Sequence, residues 1–256
     1  MGAIRAFIAS FVIAATCIGD AGASPWNRSA KHAFTATTAG FFRSSTPSSR
    51  YSRIDSDNYA EYGLTRRWMT AGKLVYSTAI TETPDFSSTR SAIGEANFQI
   101  QRQLFYKEHS AAAVQFAGLW SSSLEDGSRA GTLSSNWGGE IRALYGRDII
   151  LKPFKIFSTI EAGYQRRFGG DADRARIDAL IGIEPGRWLF LVEAQSTISI
   201  RNNEFGFQDF DLVKGQASVV WNASKRWSFV IGARKDLAAR NYPPGAGVFV
   251  GVWSKF

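Results

Sequence analysis

Between Glu95 and Leu104 the chain reads Glu-Ala-Asn-Phe-Gln-Ile-Gln-Arg-Gln-Leu. Every odd position is polar and, Arg102 aside, every even one is apolar. A side-chain period of two is a β-strand with two unlike faces. Segments of this kind recur along the chain and run longer than the ~5–6 residues usual for strands in globular proteins. Strands that cross a bilayer need about 9–11 residues. After the N-terminus no run of eighteen apolar residues appears, so a helical span is not on offer. Long amphipathic strands with one apolar face predict an all-β fold: a closed antiparallel transmembrane barrel, apolar outside and polar inside.

The connections support a count. Short reversals are predicted at Thr65-Arg66-Arg67, Lys107-Glu108-His109, Gly146 to Pro153, Pro185-Gly186-Arg187 and Asn222 to Arg226. Longer polar stretches fall near 43–53, 82–90, 122–134, 168–173, 202–208 and 240–246, rich in Gly, Ser, Asp, Asn and Pro. Between them lie twelve strands, near 31–42, 54–64, 68–80, 91–105, 110–121, 135–146, 155–167, 174–184, 188–201, 209–221, 227–239 and 247–256. An up-and-down meander with an even count puts both termini on the short-turn side, as single-chain outer-membrane barrels require. Arg67-Trp68, Arg187-Trp188 and Arg226-Trp227 repeat one pair just past three of the turns. Trp at headgroup depth beside a phosphate-seeking Arg is the composition of an interfacial aromatic belt. A β-propeller shares a period near 40 residues but needs a turn every 8–12, and 91–105 and 188–201 contain none.

Residues 1–23 read as a secretory signal: Arg5, an apolar stretch from Ala6 to Ile18, and Ala21-Gly22-Ala23 as the cleavage site. Residues 24–256 then form a single barrel domain. Cys17, the one cysteine, lies within the signal and lacks the sequence around it of a lipid-modified cysteine. A chain without thiols suits an oxidising periplasm and rules out disulfides and Cys-based chemistry. The net charge is +8, from 30 basic against 22 acidic residues. Those basic residues form neither one run nor one helical face, so anionic lipid and lipopolysaccharide are the expected partners, not nucleic acid.

Alternation also assigns faces. Arg174, Arg176, Asp178 and Glu184 oppose Ala175, Ile177, Ala179, Ile181 and Ile183. Glu193, Gln195 and Thr197 oppose Phe190, Val192 and Ala194; Glu140 and Arg142 oppose Ile141 and Ala143; Thr159, Glu161 and Gln165 oppose Ile160, Ala162 and Tyr164. Lys73, Gln115, Lys214, Gln216, Arg234 and Asp236 fall on polar faces too. Both signs of charge thus ring the predicted lumen, with Glu61 and Glu95 among the carboxylates. On the lipid face each charge would cost about 2–4 kcal/mol at the midplane. The candidate selectivity residues are Glu140, Arg142, Glu161, Arg176, Asp178, Glu193 and Arg234. They are read as a water-filled pore's filter or, alternatively, as a salt-bridged plug, since twelve strands lie between barrels that fill and barrels that conduct. Arg166, Arg167 and Arg174 flank the loop Gly169-Gly170-Asp171 and form a candidate outer-rim site for lipopolysaccharide phosphates.

Two stretches carry a resemblance. The final segment, with Phe256 last and Val252, Val250 and Val248 at alternate positions, resembles the closing strand of bacterial outer-membrane proteins. In that family the terminal aromatic is read by the barrel-assembly machinery, which implies the same partner for Phe256; Ser254 stands where an apolar residue is usual. Residues 60–72, Ala-Glu-Tyr-Gly-Leu-Thr-Arg-Arg-Trp-Met-Thr-Ala-Gly, resemble a hairpin of outer-membrane transporter-like barrels that include the proteins named for the phenol-degradation meta pathway. The resemblance implies a barrel that passes small molecules; Arg66 departs from it, where an acidic residue is common.

Catalysis is not expected. Outer-membrane hydrolases commonly use a His near the outer rim, and this chain has two, His32 and His109, both predicted on the short-turn side. Gly169 to Asp173 lacks the Lys of a phosphate loop and the spacing of a calcium loop, and no cofactor or metal motif is present. The expected function is a narrow outer-membrane pore for passive passage of small solutes, anions among them. The alternative is a non-conducting barrel that anchors a surface polysaccharide or a partner protein.

Overall fold

The computed structural model describes residues 24–122, 136–150, 153–168, 172–201 and 209–256. The predicted signal segment lies outside these residues, as do most of the predicted connections at 122–134 and 202–208 and the Gly169-Gly170-Asp171 part of a third.

Every described element is a strand. They run β1 Ala33–Ser45, β2 Arg50–Gly63, β3 Trp68–Thr83, β4 Phe86–Lys107, β5 Ser110–Ser121 and β6 Asn136–Ile150. The second half holds β7 Lys155–Phe168, β8 Asp173–Glu184, β9 Trp188–Arg201, β10 Asp211–Asn222, β11 Trp227–Arg240 and β12 Gly245–Lys255. Each pairs antiparallel with its sequence neighbours, and β1 pairs with β12 from Phe34↔Lys255 to Ser44↔Gly245. The sheet closes into a twelve-stranded meander barrel and leaves no edge exposed to lipid. At the seam the Ala33 N–H donates to the Phe256 carbonyl and the Phe256 N–H donates to that of Ala33.

Faces sort as alternation requires. Phe98, Ile100, Phe116, Ile141, Phe190, Val192, Ile231, Val248 and Val250 project outward and are exposed, while Gln101, Gln115, Glu161, Asp178 and Glu193 turn inward and are buried. An apolar band of this extent around a closed sheet requires hydrocarbon, not water, on its outer side. At the short-turn end Trp188 and Trp221 pack with ring centroids 6.4 Å apart, Trp221 stacks on Phe229 at 5.9 Å, and the Arg102 guanidinium lies 5.5 Å from the Trp68 ring. These form the predicted belt. Ser254, polar within the closing strand, is buried directly across from Trp227.

Two connections are shorter than expected. β3 and β4 continue to Thr83↔Phe86, and β1 and β2 to Ser45↔Arg50, so the predicted loops at 82–90 and 43–53 reduce to tight hairpins. Ser- and Thr-rich sequence above a membrane pairs through its backbone, and polar side chains facing water on both sides look like a loop in sequence. Gly146, expected to open a turn, lies inside β6, which pairs with β7 as far as Ile150↔Lys155.

Candidate functional site: a charged lumen and a filled inner mouth

The centre of the lumen is organised around Arg142. Its Nη1 donates to Glu161 Oε2 at 2.6 Å and lies 3.4 Å from Asp178 Oδ2; its Nη2 and Nε donate to Glu140 Oε1 at 2.7 and 3.0 Å. The four side chains come from β6, β7 and β8 and are all buried. In register Gly163 stands between Arg142 and Arg176. A Cβ there would come 2.9 Å from Glu140 Oε1, so the missing side chain gives Glu140 its place between the two guanidinium groups. Arg176 continues the network, 3.1 Å from Asp178 and 4.0 Å from Glu140, and within electrostatic reach of Glu95 on β4. Lys73 extends it to Glu95 at 3.2 Å and Asp57 at 3.4 Å. Adjacent walls carry a second group: Arg53 Nε and Arg234 Nη2 lie 2.8 and 2.9 Å from the two oxygens of Asp55, and both guanidinium groups stand near the Phe42 ring. Glu193 accepts from Gln216 Nε2 at 2.8 Å.

All seven predicted selectivity residues therefore line the lumen, but the structure separates their surroundings. Arg142 is enclosed by carboxylates, whereas Arg176 and Arg234 are more exposed. The outer-rim arginines do not form one cluster. Arg166 lies on the outer face and pairs with Asp173 at 2.7 Å. Arg167 turns inward and donates to Ser121 Oγ at 2.8 Å, and Arg174 places its guanidinium 5.2 Å from the Phe210 ring. Consecutive residues of a strand point to opposite faces, so Arg166 and Arg167 cannot share one ligand.

The lumen is not polar throughout. Residues 24–32 enter its short-turn end. Gln101 Nε2 donates to the Ser24 carbonyl at 2.7 Å and lies 3.1 Å from Asn27 Oδ1; Gln103 Nε2 donates to the Pro25 carbonyl at 2.9 Å. Arg28 pairs with Glu61 and lies 4.5 Å from the Phe34 ring. Pro25 is fully buried. Two inward glycines make this possible: a Cβ at Gly146 would stand 2.6 Å from Pro25 Cγ, and one at Gly63 would overlap the backbone of Arg28 and Ser29. On the opposite walls Leu180, Leu191, Val220 and Val230 form a buried apolar cluster, with Phe157, Phe249 and Trp253 against it.

Sequence reasoning missed both. Trp188 to Val192 is apolar on both faces, as are Val219 to Trp221, and that local loss of alternation is the signal of an apolar lumen wall. Gly63 and Gly146, placed on inward faces near short turns, are the trace of the N-terminal segment.

Both histidines lie at the short-turn end, His32 just before β1 and His109 between β4 and β5, and among the described residues none stands at the outer rim. Among the described residues no group of three or more His, Cys, Asp or Glu could hold a metal ion.

No family model matches the chain, and no curated protein sequence matches it. Its fold does have relatives. The COG4313 outer-membrane channel from Pseudomonas putida F1 aligns with a TM-score of 0.64 at 12% identity, over 93% of this chain and 100% of that one. The NanC porin aligns at 0.55 and 9%, over 87% and 100%. The translocator domain of the autotransporter NalP from Neisseria meningitidis aligns at 0.54 and 7%, over 99% and 96%. Closure through β1 and β12, the exposed apolar band and the aromatic belt agree with that likeness. The chain is a twelve-stranded β-barrel with the architecture of bacterial outer-membrane proteins.

Proposed function

We propose that this protein is a narrow, passive pore of the outer membrane for small solutes, with a preference for anions, and that it catalyses no reaction. The observation that carries this reading is an asymmetry in the lumen's ion pairs. Side-chain exposure is 26% for Arg176 against 1% for Asp178, 29% for Arg234 against 6% for Asp55, and 32% for Arg28 against 2% for Glu61. Short carboxylates stay at the wall while long cationic side chains carry their charge toward the axis. A solute on the axis therefore meets guanidinium and ammonium groups first. Two places depart from this: Asp57, 36% exposed against 30% for Lys73, and Arg142, which in this reading holds Glu140 and Glu161 at the wall. Glu140, Glu161 and Glu193 then set the width of the passage, while Arg176 and Arg234 draw anions in. The fold likeness to a channel and a porin supports conduction. Phe256, exposed at the seam, is read as the signal for the barrel-assembly machinery.

Single-channel recording in a planar bilayer under a salt gradient tests the proposal. The wild type should open in discrete steps with an anion preference, and Arg176→Glu or Arg234→Glu should lower that preference about tenfold, equivalent to ~1.4 kcal/mol of lost attraction. Silence from demonstrably folded protein would overturn the pore and leave the anchoring role.

A further inference from the structure

The outer wall of the barrel carries a dent. On the outward faces of four adjacent strands, Phe98 of β4 pairs across to Gly118 of β5, Gly118 to Gly139 of β6, and Gly139 to Arg166 of β7. The two central positions of this row have no side chain. A Cβ at Gly118 would meet nothing within 4 Å, and one at Gly139 would meet only the Ala117 carbonyl, at 3.8 Å. Neither glycine is therefore required by packing within the chain. Ile100, Phe116 and Ile141 stand on the row below, and Trp137 and Phe168 on the row above. Phe98, Ile100, Phe116, Ile141, Tyr164 and Arg166 line a shallow, open, outward-facing groove of about 470 Å³ over the two glycines.

One end of this apolar groove carries a cation. Arg166 Nη1 and the Tyr164 hydroxyl both donate to Asp173 Oδ2, at 2.7 and 2.6 Å. Asp173 thereby fixes the direction of a guanidinium that has five donors in a rigid fork. From Lys155 at the short-turn end, strand rise of ~3.3 Å per residue and a tilt of ~40° lift Arg166 roughly 28 Å, slightly more than the ~25 Å apolar band of such barrels. Arg166 thus stands at headgroup depth on the long-loop side, where a lipid-facing charge costs least.

We propose that this groove binds one lipid of the outer leaflet, a phosphorylated lipid A, with an acyl chain across Gly118 and Gly139 and a phosphate on Arg166. Only a bilayer component can reach a groove in the lipid-facing wall, which identifies the class of ligand. A guanidinium at the headgroup end of a side-chain-free apolar floor matches an anionic phosphate above a hydrocarbon chain, and bidentate phosphate contact is what Arg provides. In an outer membrane the lipid on that side is the phosphorylated glycolipid. The site is independent of conduction through the lumen.

Native mass spectrometry of the detergent-purified protein, titrated separately with bisphosphorylated lipid A, dephosphorylated lipid A and phosphatidylglycerol, tests it. The wild type should retain one bisphosphorylated lipid A at least about tenfold more tightly than either other lipid. Gly118→Leu, which fills the floor, should weaken that binding about tenfold or more. Arg166→Gln should bind the two forms of lipid A equally. Heat-modifiable migration on gels verifies that each barrel is closed, and Gly139→Leu fills the same floor should Gly118→Leu fail to fold. Wild-type affinity in both kinds of variant would overturn the site. Equal binding of phosphatidylglycerol by the wild type would overturn lipid A as its occupant, and loss in Arg166→Gln alone would reduce it to a surface ion contact with no groove.

Discussion

Arg142 is the residue whose loss the lumen should feel most. It holds Glu140, Glu161 and Asp178 within 2.6–3.4 Å, and all four side chains are buried. Removing one partner of a buried ion pair leaves an uncompensated charge and typically costs about 3–5 kcal/mol. Arg142→Met keeps most of the volume, takes from Glu161 its 2.6 Å ion pair and leaves Glu140 and Asp178 to share Arg176, so it should fall in that range. Glu161→Gln alone keeps an acceptor for Arg142 and leaves Glu140 and Asp178 to balance it, so about 1–2 kcal/mol is expected from one weakened charge-assisted hydrogen bond. In the Arg142→Met background the same substitution removes one of the repelling carboxylates and should cost nothing, or recover about 1 kcal/mol. The coupling is then about 2 kcal/mol. Reversible urea unfolding in lipid vesicles, followed by tryptophan fluorescence, measures all corners of the cycle. Additivity within about 0.5 kcal/mol, the behaviour of independent sites, would refute the argument. It would mean that water screens the pair and that the network does not brace the wall.

Two further outcomes follow from particular contacts. Gly146→Leu places a side chain where Pro25 and Trp26 pack, and should displace residues 24–32 from the inner mouth; single-channel conductance should rise at least twofold with the barrel still closed, and an unchanged conductance would mean that this segment does not obstruct the passage. Phe256→Ser should lower the amount of folded barrel recovered from cell outer membranes severalfold while leaving refolding into detergent micelles unchanged, as the proposed role of the exposed ring as an assembly signal requires; equal recovery of the two forms from cells would contradict that role.

The strand count and the inward or outward sense of nearly every side chain were legible, because a period of two is a local property and lipid outside with water inside enforces it along each strand. Glu140, Arg142, Glu161, Arg176, Asp178, Glu193 and Arg234 were placed in the lumen on that ground alone. Their pairing was not legible. Arg142 reaches Glu161 and Asp178 through the register of β6 with β7 and of β7 with β8, and no sequence spacing encodes which residues of neighbouring strands stand opposite. The outer-rim arginines show the reverse limit. Proximity in sequence suggested one anion site, while alternation sends Arg166 outward and Arg167 inward.

From its sequence alone this chain is committed to a closed antiparallel barrel in a bilayer, since long two-faced strands leave no other way to satisfy their backbone groups in hydrocarbon. What occupies that barrel was decided by tertiary structure. Residues 24–32 have no period and no motif, yet closure brings Gln101, Gln103 and Glu61 from separate strands around them and leaves room at Gly63 and Gly146. In the same way Gly118 and Gly139, more than a dozen residues apart, become one dent in the wall only when β5 pairs with β6. Faces follow from neighbours along the chain, whereas contents and grooves follow from neighbours across it.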